Sequence, residues 1–122
     1  MEKGKIKDFT DLIIWQKAIE LFEQTVVDVE RFPRKRAAWI ITDQIIRSVS
    51  SINANVAEGF GRGGQREYRY HLGVAKGSAT EAQDWYYKVA RLNYLPEDMV
   101  KERIDILAET IKMLNSLISK IH

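Results

Sequence analysis

Cysteine is absent from this sequence of 122 residues, and proline and histidine each occur only twice. Without cysteine, neither disulfide bonds nor thiolate metal sites can form. No apolar run approaches the roughly 20 residues that cross a bilayer. The first residues also lack the apolar stretch of a signal peptide. These absences predict a soluble, cytoplasmic protein that has no membrane segment and no disulfide framework.

The strict alternation of apolar and polar residues that is typical of half-buried strands is also missing. Instead, apolar residues recur at steps of three and four, which is the pattern of amphipathic helices. Four such stripes are present: Trp15, Ile19, Phe22, Val26 and Val29; Ile41, Ile45, Val49, Ile52 and Val56; Tyr68, Leu72, Ala75, Ala79, Ala82, Tyr86 and Val89; and Val100, Ile104, Leu107, Ile111, Leu114, Ile118 and Ile121.

The chain length fits one domain, and short connections place neighbouring helices antiparallel. The sequence therefore predicts an all-α protein, a single antiparallel up-down-up-down four-helix bundle. Its helices are expected at about 11–31, 37–59, 65–93 and 96–121. Phe32-Pro33 is expected to end the first helix, since proline disfavours helix in the residue before it. Gly59 is expected to end the second in a left-handed conformation, and Pro96 suits the first position of the fourth.

Positive charge is concentrated in the middle of the chain. The net charge is only +2, but residues 31–76 contain nine basic and three acidic side chains. Such an excess is typical of a phosphate-binding surface, although it is also compatible with an ordinary solvated surface that has acids nearby in space. Both interpretations stay open. The candidate phosphate contacts are Arg47, Arg62, Arg66, Arg69 and Lys76.

The segment from Gly59 to Gly64 matches the G-x-G-x-x-G pattern of dinucleotide-binding proteins. That pattern requires a preceding strand within a βαβ unit, whereas here a helix precedes it and no strand is predicted. The favoured interpretation is a glycine-capped turn between helices, and no cofactor is expected. A narrower alternative is that free N–H groups at the start of the third helix hold one phosphate oxygen, with Arg62 and Arg66 beside them.

Glu58, Glu67 and Glu81 are the candidates for a carboxylate metal site within a bundle. Such sites combine inward-facing glutamates with Glu-x-x-His pairs, but His71 follows Glu67 by four residues, and Glu58 and Glu81 lie off the apolar stripes. Ion pairs between these glutamates and nearby arginines are the more ordinary interpretation. No serine, histidine and carboxylate are spaced as a catalytic set. The sequence therefore predicts no metal site, no catalytic residue and no enzymatic activity.

The third helix has an unusual face opposite its apolar stripe. Two glycines in the middle of this face, Gly73 and Gly77, cost about 1 kcal/mol each relative to alanine. Close approach of another backbone would explain them, with Tyr70 and Tyr87 as flanking anchors, whereas tolerated glycines on a solvated face are the alternative. The predicted interface is therefore Tyr70, Gly73, Gly77 and Tyr87. The whole face comprises Arg66, Arg69, Tyr70, Gly73, Gly77, Thr80, Asp84 and Tyr87.

Several segments together are similar to one family, and they span nearly the whole chain. They are Asp11-Leu12-Ile13-Ile14-Trp15-Gln16-Lys17-Ala18, Phe32-Pro33, Asp43-Gln44-Ile45-Ile46-Arg47-Ser48, Ser51-Ile52-Asn53-Ala54-Asn55-Val56-Ala57-Glu58-Gly59 with Gly61-Arg62, and Ala75-Lys76-Gly77-Ser78 with Glu81. The family is the small four-helix proteins encoded within intervening sequences of 23S ribosomal RNA genes. Its relatives include the accessory variability proteins of diversity-generating retroelements.

This resemblance implies a four-helix bundle that assembles as a ring-like homopentamer. For the retroelement relatives it also implies binding to nucleic acid and to a reverse transcriptase through a basic surface. The Asn-Val-Ala-Glu-Gly element within Ser51–Gly59 is fairly specific to the family. Arg34-Lys35-Arg36 departs from the family, because this turn is expected to be more mixed or acidic.

The leading hypothesis is a non-enzymatic oligomeric module that binds structured RNA through its backbone charge. Tyr70 is the aromatic side chain free to stack on a base, since Tyr68 lies on the apolar stripe. The alternative is a scaffold for a protein partner, such as a reverse transcriptase, without direct contact to RNA or DNA. A third hypothesis, a metal or cofactor enzyme of the bundle type, has the least support.

Overall fold

A computed structural model describes residues 6–121 and contains four α-helices after a single turn of 3₁₀ helix at Phe9–Asp11. The helices are α1 (Ile13–Val29), α2 (Arg36–Arg62), α3 (Gln65–Arg91) and α4 (Glu97–Ser119). Residues 6–121 contain no strand, which confirms the all-α prediction. Each helix boundary lies within three residues of the predicted one. The expectation of no signal peptide falls partly on residues 1–5, which lie outside the described residues.

Each helix packs against its neighbour in the chain, and α4 closes the bundle against α1. Between α1 and α4, Lys17 pairs with Glu109, and Asp28, later in α1, pairs with Arg103, earlier in α4. Between α2 and α3, hydrogen bonds join Asn55 to His71 and Ser51 to Ser78, so the later residue of α2 contacts the earlier residue of α3. None of the described helices is long and apolar enough to span a bilayer.

The stripes predicted for α2 and α3 form the centre of the core. Their fully buried members are Ile45, Val49, Ile52, Val56, Leu72, Ala75, Ala79, Ala82, Tyr86 and Val89. Three of these are alanines on α3, whose small side chains allow α2 and α3 to approach closely. The predicted core positions of these two helices are therefore confirmed, with Ile41 and Tyr68 only half-buried at the ends of their stripes.

The stripe predicted for α1 is wrong by one position. Its Trp15, Ile19 and Phe22 are half-buried and Val26 is exposed. The residues that α1 buries are instead Ile14, Ala18, Leu21, Thr25 and Asp28, and of the predicted stripe only Val29 is buried. The prediction was wrong because the buried stripe includes the polar side chains of Thr25 and Asp28. The stripe that begins at Trp15 is apolar throughout and was therefore preferred.

The predicted end of α2 is also wrong, since the helix continues through Gly59 to Arg62. The left-handed residue that ends it is Gly63, with φ of 81°. Gly59 is required for packing instead: a Cβ atom there would lie 2.7 Å from the Cβ atom of His71 and 3.3 Å from the Cα atom of Tyr68. Pro96 precedes α4 as its N-cap residue rather than occupying its first position.

Candidate nucleic-acid interface

The face of α3 opposite the core is exposed along its length. All eight residues predicted for it are exposed, and Tyr70 and Tyr87 leave 64% and 58% of their surface open to solvent. Apart from the adjoining backbone of α3 itself, a Cβ atom added at Gly73 or Gly77 would meet no atom of the described chain within 4 Å. Packing within one chain therefore does not explain these two glycines, and the face has room for a close partner.

Two predicted phosphate contacts and two predicted interface residues line one open groove on this face. The groove has a volume of about 730 Å³ and brings together Arg66, Arg69, Tyr70 and Gly73 beside Ile118 of α4. One guanidinium nitrogen of Arg69 donates to the carbonyl oxygen of Ile121 at 3.4 Å. These side chains are one helical turn apart on one face of α3, so cations and an exposed aromatic ring lie next to each other.

The five predicted phosphate contacts differ in how far nearby acids neutralise them. Arg62 pairs with Glu58 at 2.6 Å and lies 3.8 Å from Glu67, and Arg47 pairs with Asp43 at 3.4 Å. Arg66, Arg69 and Lys76 have no carboxylate within ion-pair distance among residues 6–121. These last three, all on α3, are therefore the most available to an external anion.

A line of hydrogen bonds that sequence reasoning did not find joins α2 to α3. Asn55 donates to the carbonyl oxygen of Ser51 at 2.9 Å and to its hydroxyl at 3.0 Å, while Ser78 reaches that hydroxyl at 2.8 Å. The amide oxygen of Asn55 then accepts from Nδ1 of the buried His71 at 3.0 Å, which leaves Nε2 of His71 facing Glu58 at 3.8 Å. This line fixes the register of the two helices.

The glutamates singled out from the sequence have different surroundings. The hydrogen bond from Arg62 lowers the pKa of Glu58, and the nearby His71 ring lowers it further, so the predicted ion pair is confirmed for Glu58. Glu81 accepts instead from the indole nitrogen of Trp85 at 3.2 Å, and the predicted arginine partner was wrong. Within residues 6–121, no three histidine, aspartate or glutamate side chains converge as metal ligands would.

A second polar cluster lies inside the core and was likewise not predicted. Asp28 of α1 accepts two hydrogen bonds from Arg103 of α4, at 2.8 and 3.1 Å, and one from the hydroxyl of Tyr86 at 2.7 Å. Thr25 lies 2.9 Å from the same hydroxyl. All four residues are buried. The cluster ties three helices together, and the signal in the sequence was the pair Thr25 and Asp28 following Ala18 and Leu21 at helical spacing.

This cluster predicts a loss of stability at alkaline pH. Burial raises the pKa of Tyr86 well above its ordinary value of 10, and the Asp28 carboxylate raises it further, although the hydrogen bond with Thr25 acts in the opposite direction. Above pH 10 the unfolded chain releases a proton that the folded chain retains, so the free energy of unfolding should fall as pH rises. Tyr86→Phe should flatten this dependence in urea unfolding experiments, whereas Tyr87→Phe, at an exposed site, should leave it unchanged. An equally steep dependence in Tyr86→Phe would contradict the assignment.

The fold and this surface define a class of protein: an all-α four-helix protein with an exposed basic and aromatic face on one helix. The family model described as "23S rRNA-intervening sequence protein" matches residues 10–116. The chain therefore belongs to the 23S rRNA-intervening sequence protein family, as the resemblance of its segments predicted. The relation to retroelement proteins stays a prediction.

A solved structure agrees with this assignment at the level of the fold. It is the crystal structure of a protein of unknown function from the S23 ribosomal protein family of Bacteroides thetaiotaomicron. The two share 23% sequence identity and a TM-score of 0.80, and the match covers 87% of this chain and 98% of that chain. Among curated proteins, none matches the chain.

Proposed function

We propose that the protein is a non-enzymatic, oligomeric module of the cytoplasm that binds structured RNA through the exposed face of α3. The observation that carries this proposal is the groove in which Arg66, Arg69 and Tyr70 lie together, with no carboxylate within ion-pair distance of either arginine among residues 6–121. Arginine side chains contact backbone phosphates without reading sequence, and an exposed tyrosine ring can stack on a base. The module needs neither a metal ion nor a cofactor for this activity.

Self-assembly would strengthen such binding. The open surface at Gly77 admits the backbone of a second copy, and Tyr87 supplies apolar area beside it, while Arg66, Arg69 and Tyr70, nearer the start of α3, stay open to RNA. The family resemblance implies a homopentamer of these antiparallel bundles. A ring repeats the basic groove in every copy, and multivalent attachment turns weak phosphate contacts into useful affinity.

RNA binding is expected to be strongly salt-dependent and to require the arginines of the groove. Binding of a labelled RNA hairpin should weaken linearly on a log–log plot against salt, because each neutralised phosphate releases counterions. The double variant Arg66→Ala and Arg69→Ala should bind about tenfold more weakly, with a slope that is lower by about 1.5. The matched control is Lys101→Ala with Lys112→Ala, which removes the same charge from α4. No binding at low salt, or equal binding by both double variants, would refute the proposal.

Assembly through α3 is expected to depend on Gly77. The protein should scatter light as an oligomer at micromolar concentration. Gly77→Leu should reduce its mass to that of a monomer while helix content stays the same, since position 77 is exposed and open at its Cβ atom. Gly61→Leu is the control, because position 61 is equally open but lies on α2. A wild-type monomer, or an intact oligomer in Gly77→Leu, would count against this interface.

A scaffold for a protein partner is the second candidate function. The observation in its favour is the pair of exposed tyrosines, Tyr70 and Tyr87, on either side of the glycines, because tyrosine is enriched at protein–protein interfaces. The implied partner is a reverse transcriptase. A complex that survives nuclease treatment and is lost in Tyr87→Ala would support the scaffold, whereas a complex that nuclease disperses would support RNA binding.

A further inference from the structure

A second exposed aromatic side chain lies where α1 turns into α2, which we call the α1–α2 corner (residues 31–40). Trp39 leaves 65% of its surface exposed, although the other two tryptophans, Trp15 and Trp85, are half-buried. Tryptophan is seldom left this open, because its large apolar ring stabilises a fold or an interface when it is covered. The packing of the bundle does not use this ring.

The indole of Trp39 borders a small cleft that it shares with Arg34. The cleft has a volume of about 190 Å³, and Glu30, Phe32 and Thr42 also line it. Its walls are more polar than apolar, so it suits a flat ring with hydrogen-bonding edges better than an aliphatic chain. A purine or pyrimidine base is such a ring.

Positive charge is concentrated in the segment that contains this cleft, although the cleft itself is lined by Glu30 as well as Arg34. Arg31, Arg34, Lys35 and Arg36 are exposed, and none has a carboxylate within ion-pair distance among residues 6–121. The first turn of α2 also contains no acidic residue. Cations at the start of a helix are repelled by its dipole, so this arrangement is unfavourable for stability until an anion neutralises it. The complementary ligand is therefore a polyanion that carries flat aromatic groups.

We propose that the α1–α2 corner binds an unpaired stretch of RNA, with one base stacked on Trp39 and the neighbouring phosphates held by Arg34, Lys35 and Arg36. Unpaired nucleotides are the part of an RNA whose bases are free to stack on aromatic side chains. This inference rests on the proposed nucleic-acid binding and adds a second surface to it. A base inside a duplex cannot reach the ring, so this surface discriminates single strands from helices.

The α1–α2 corner is separate from the groove on α3. Arg31 borders a polar groove together with Arg91, the last residue of α3, whereas Arg66 lies in the first turn of that helix. At 1.5 Å per residue, the two ends of α3 are about 40 Å apart. An RNA that has a paired stem and an unpaired flank can contact both surfaces, and each surface can be inactivated alone.

The test titrates the full chain with a short oligouridylate while tryptophan fluorescence is recorded. We expect the oligouridylate to quench the wild-type protein. Trp39→Ala should abolish the quenching and weaken oligouridylate binding about tenfold, measured by anisotropy of the labelled RNA. Trp39→Phe should lose the quenching but retain most of the binding, because phenylalanine still offers a flat ring. Ile40→Ala is the matched control, since its side chain is 55% exposed beside Trp39 but cannot stack on a base.

Three results would overturn the inference. The first is oligouridylate binding that is unchanged in Trp39→Ala. The second is equal weakening of binding in Ile40→Ala, which would indicate apolar docking of a protein, and the third is quenching by phosphatidylserine vesicles but not by RNA, which would indicate a lipid surface.

An RNA hairpin without unpaired flanks, tested on the same proteins, separates the two proposals. Loss of hairpin binding in the variant of Arg66 and Arg69 with intact quenching of Trp39 supports two surfaces. Hairpin binding without any quenching by oligouridylate refutes the α1–α2 corner alone, and quenching without hairpin binding by the wild type refutes the groove alone.

Discussion

Replacing Asp28 with alanine is expected to lower the free energy of unfolding by about 3–5 kcal/mol. Asp28 is only 2% exposed and accepts three hydrogen bonds from Arg103 and Tyr86. The substitution removes the buried carboxylate that pairs with the Arg103 guanidinium group, which keeps only the exposed Glu102 at 2.7 Å. It also leaves the Tyr86 hydroxyl with only its contact to Thr25. Separating a buried charge from its buried partner is among the larger penalties that a single substitution can introduce.

Urea unfolding followed by circular dichroism, at one protein concentration, measures this effect. The double variant Asp28→Ala with Arg103→Met should be more stable than Asp28→Ala alone, because it also removes the guanidinium group that has lost its buried partner. Asp43→Ala is the control: this exposed carboxylate pairs with Arg47 at 3.4 Å, and its loss should change stability by less than about 1 kcal/mol. If Asp28→Ala also changed the free energy of unfolding by less than about 1 kcal/mol, the buried pair of Asp28 and Arg103 would not hold the helices together.

Gly59→Ala is expected to lower the free energy of unfolding by about 2 kcal/mol, even though alanine is the better helix former. The added Cβ atom would lie 2.7 Å from the Cβ atom of His71, so α2 and α3 must separate. That separation also disturbs the hydrogen bond between His71 and Asn55. Gly59→Leu should lower the free energy of unfolding further, because the larger side chain would overlap more with His71 and Tyr68 of α3.

Gly61→Ala is the matched control, two residues further along α2. A Cβ atom at position 61 meets nothing within 4 Å in the described chain, so the substitution should raise stability by up to about 1 kcal/mol through helix propensity alone. Chemical denaturation of the two variants should therefore give changes of opposite sign. Equal stabilisation in both would mean that the close packing at Gly59 does not constrain the bundle.

Together, these features distinguish the parts of the molecule that hold the fold from the parts that are free to bind. The Asp28 cluster and the contact at Gly59 are covered by other helices, so they act on stability. Arg66, Arg69 and Tyr70 contribute little to the core and are open to solvent. Their replacement should change binding while leaving the unfolding transition nearly unaltered, which makes the surface and the core separately testable.

The sequence predicted the surface of α3 well because the pattern there is simple. A helix whose apolar residues repeat at steps of three and four must expose the opposite face, so the exposure of Arg66, Tyr70 and Gly77 follows from periodicity. Which of the five basic residues lack an acidic partner could not be predicted in the same way. Arg62 meets Glu67 of the next helix, and that pairing depends on how the two helices meet.

The two incorrect predictions, for the buried stripe of α1 and for Gly59, have the same origin, because both features depend on contacts with other helices. The stripe of α1 was shifted by one residue because its buried face includes Thr25 and Asp28, and a carboxylate is buried only when a partner such as Arg103, 75 residues away, reaches it. The role of Gly59 was missed because a glycine that ends a helix and a glycine that admits a neighbouring helix look identical in one sequence. The contact with His71 makes the difference.

The sequence by itself determined the number of helices, their approximate ends and the exposed face of α3, because these depend on spacing within about 30 residues. Its segments also indicated the family. Only the tertiary structure decided which polar groups are buried, which arginines stay unpaired and why Gly59 cannot carry a side chain. These properties depend on atoms that come from different helices, and the distances between helices are set by the packing of the whole bundle rather than by any single segment.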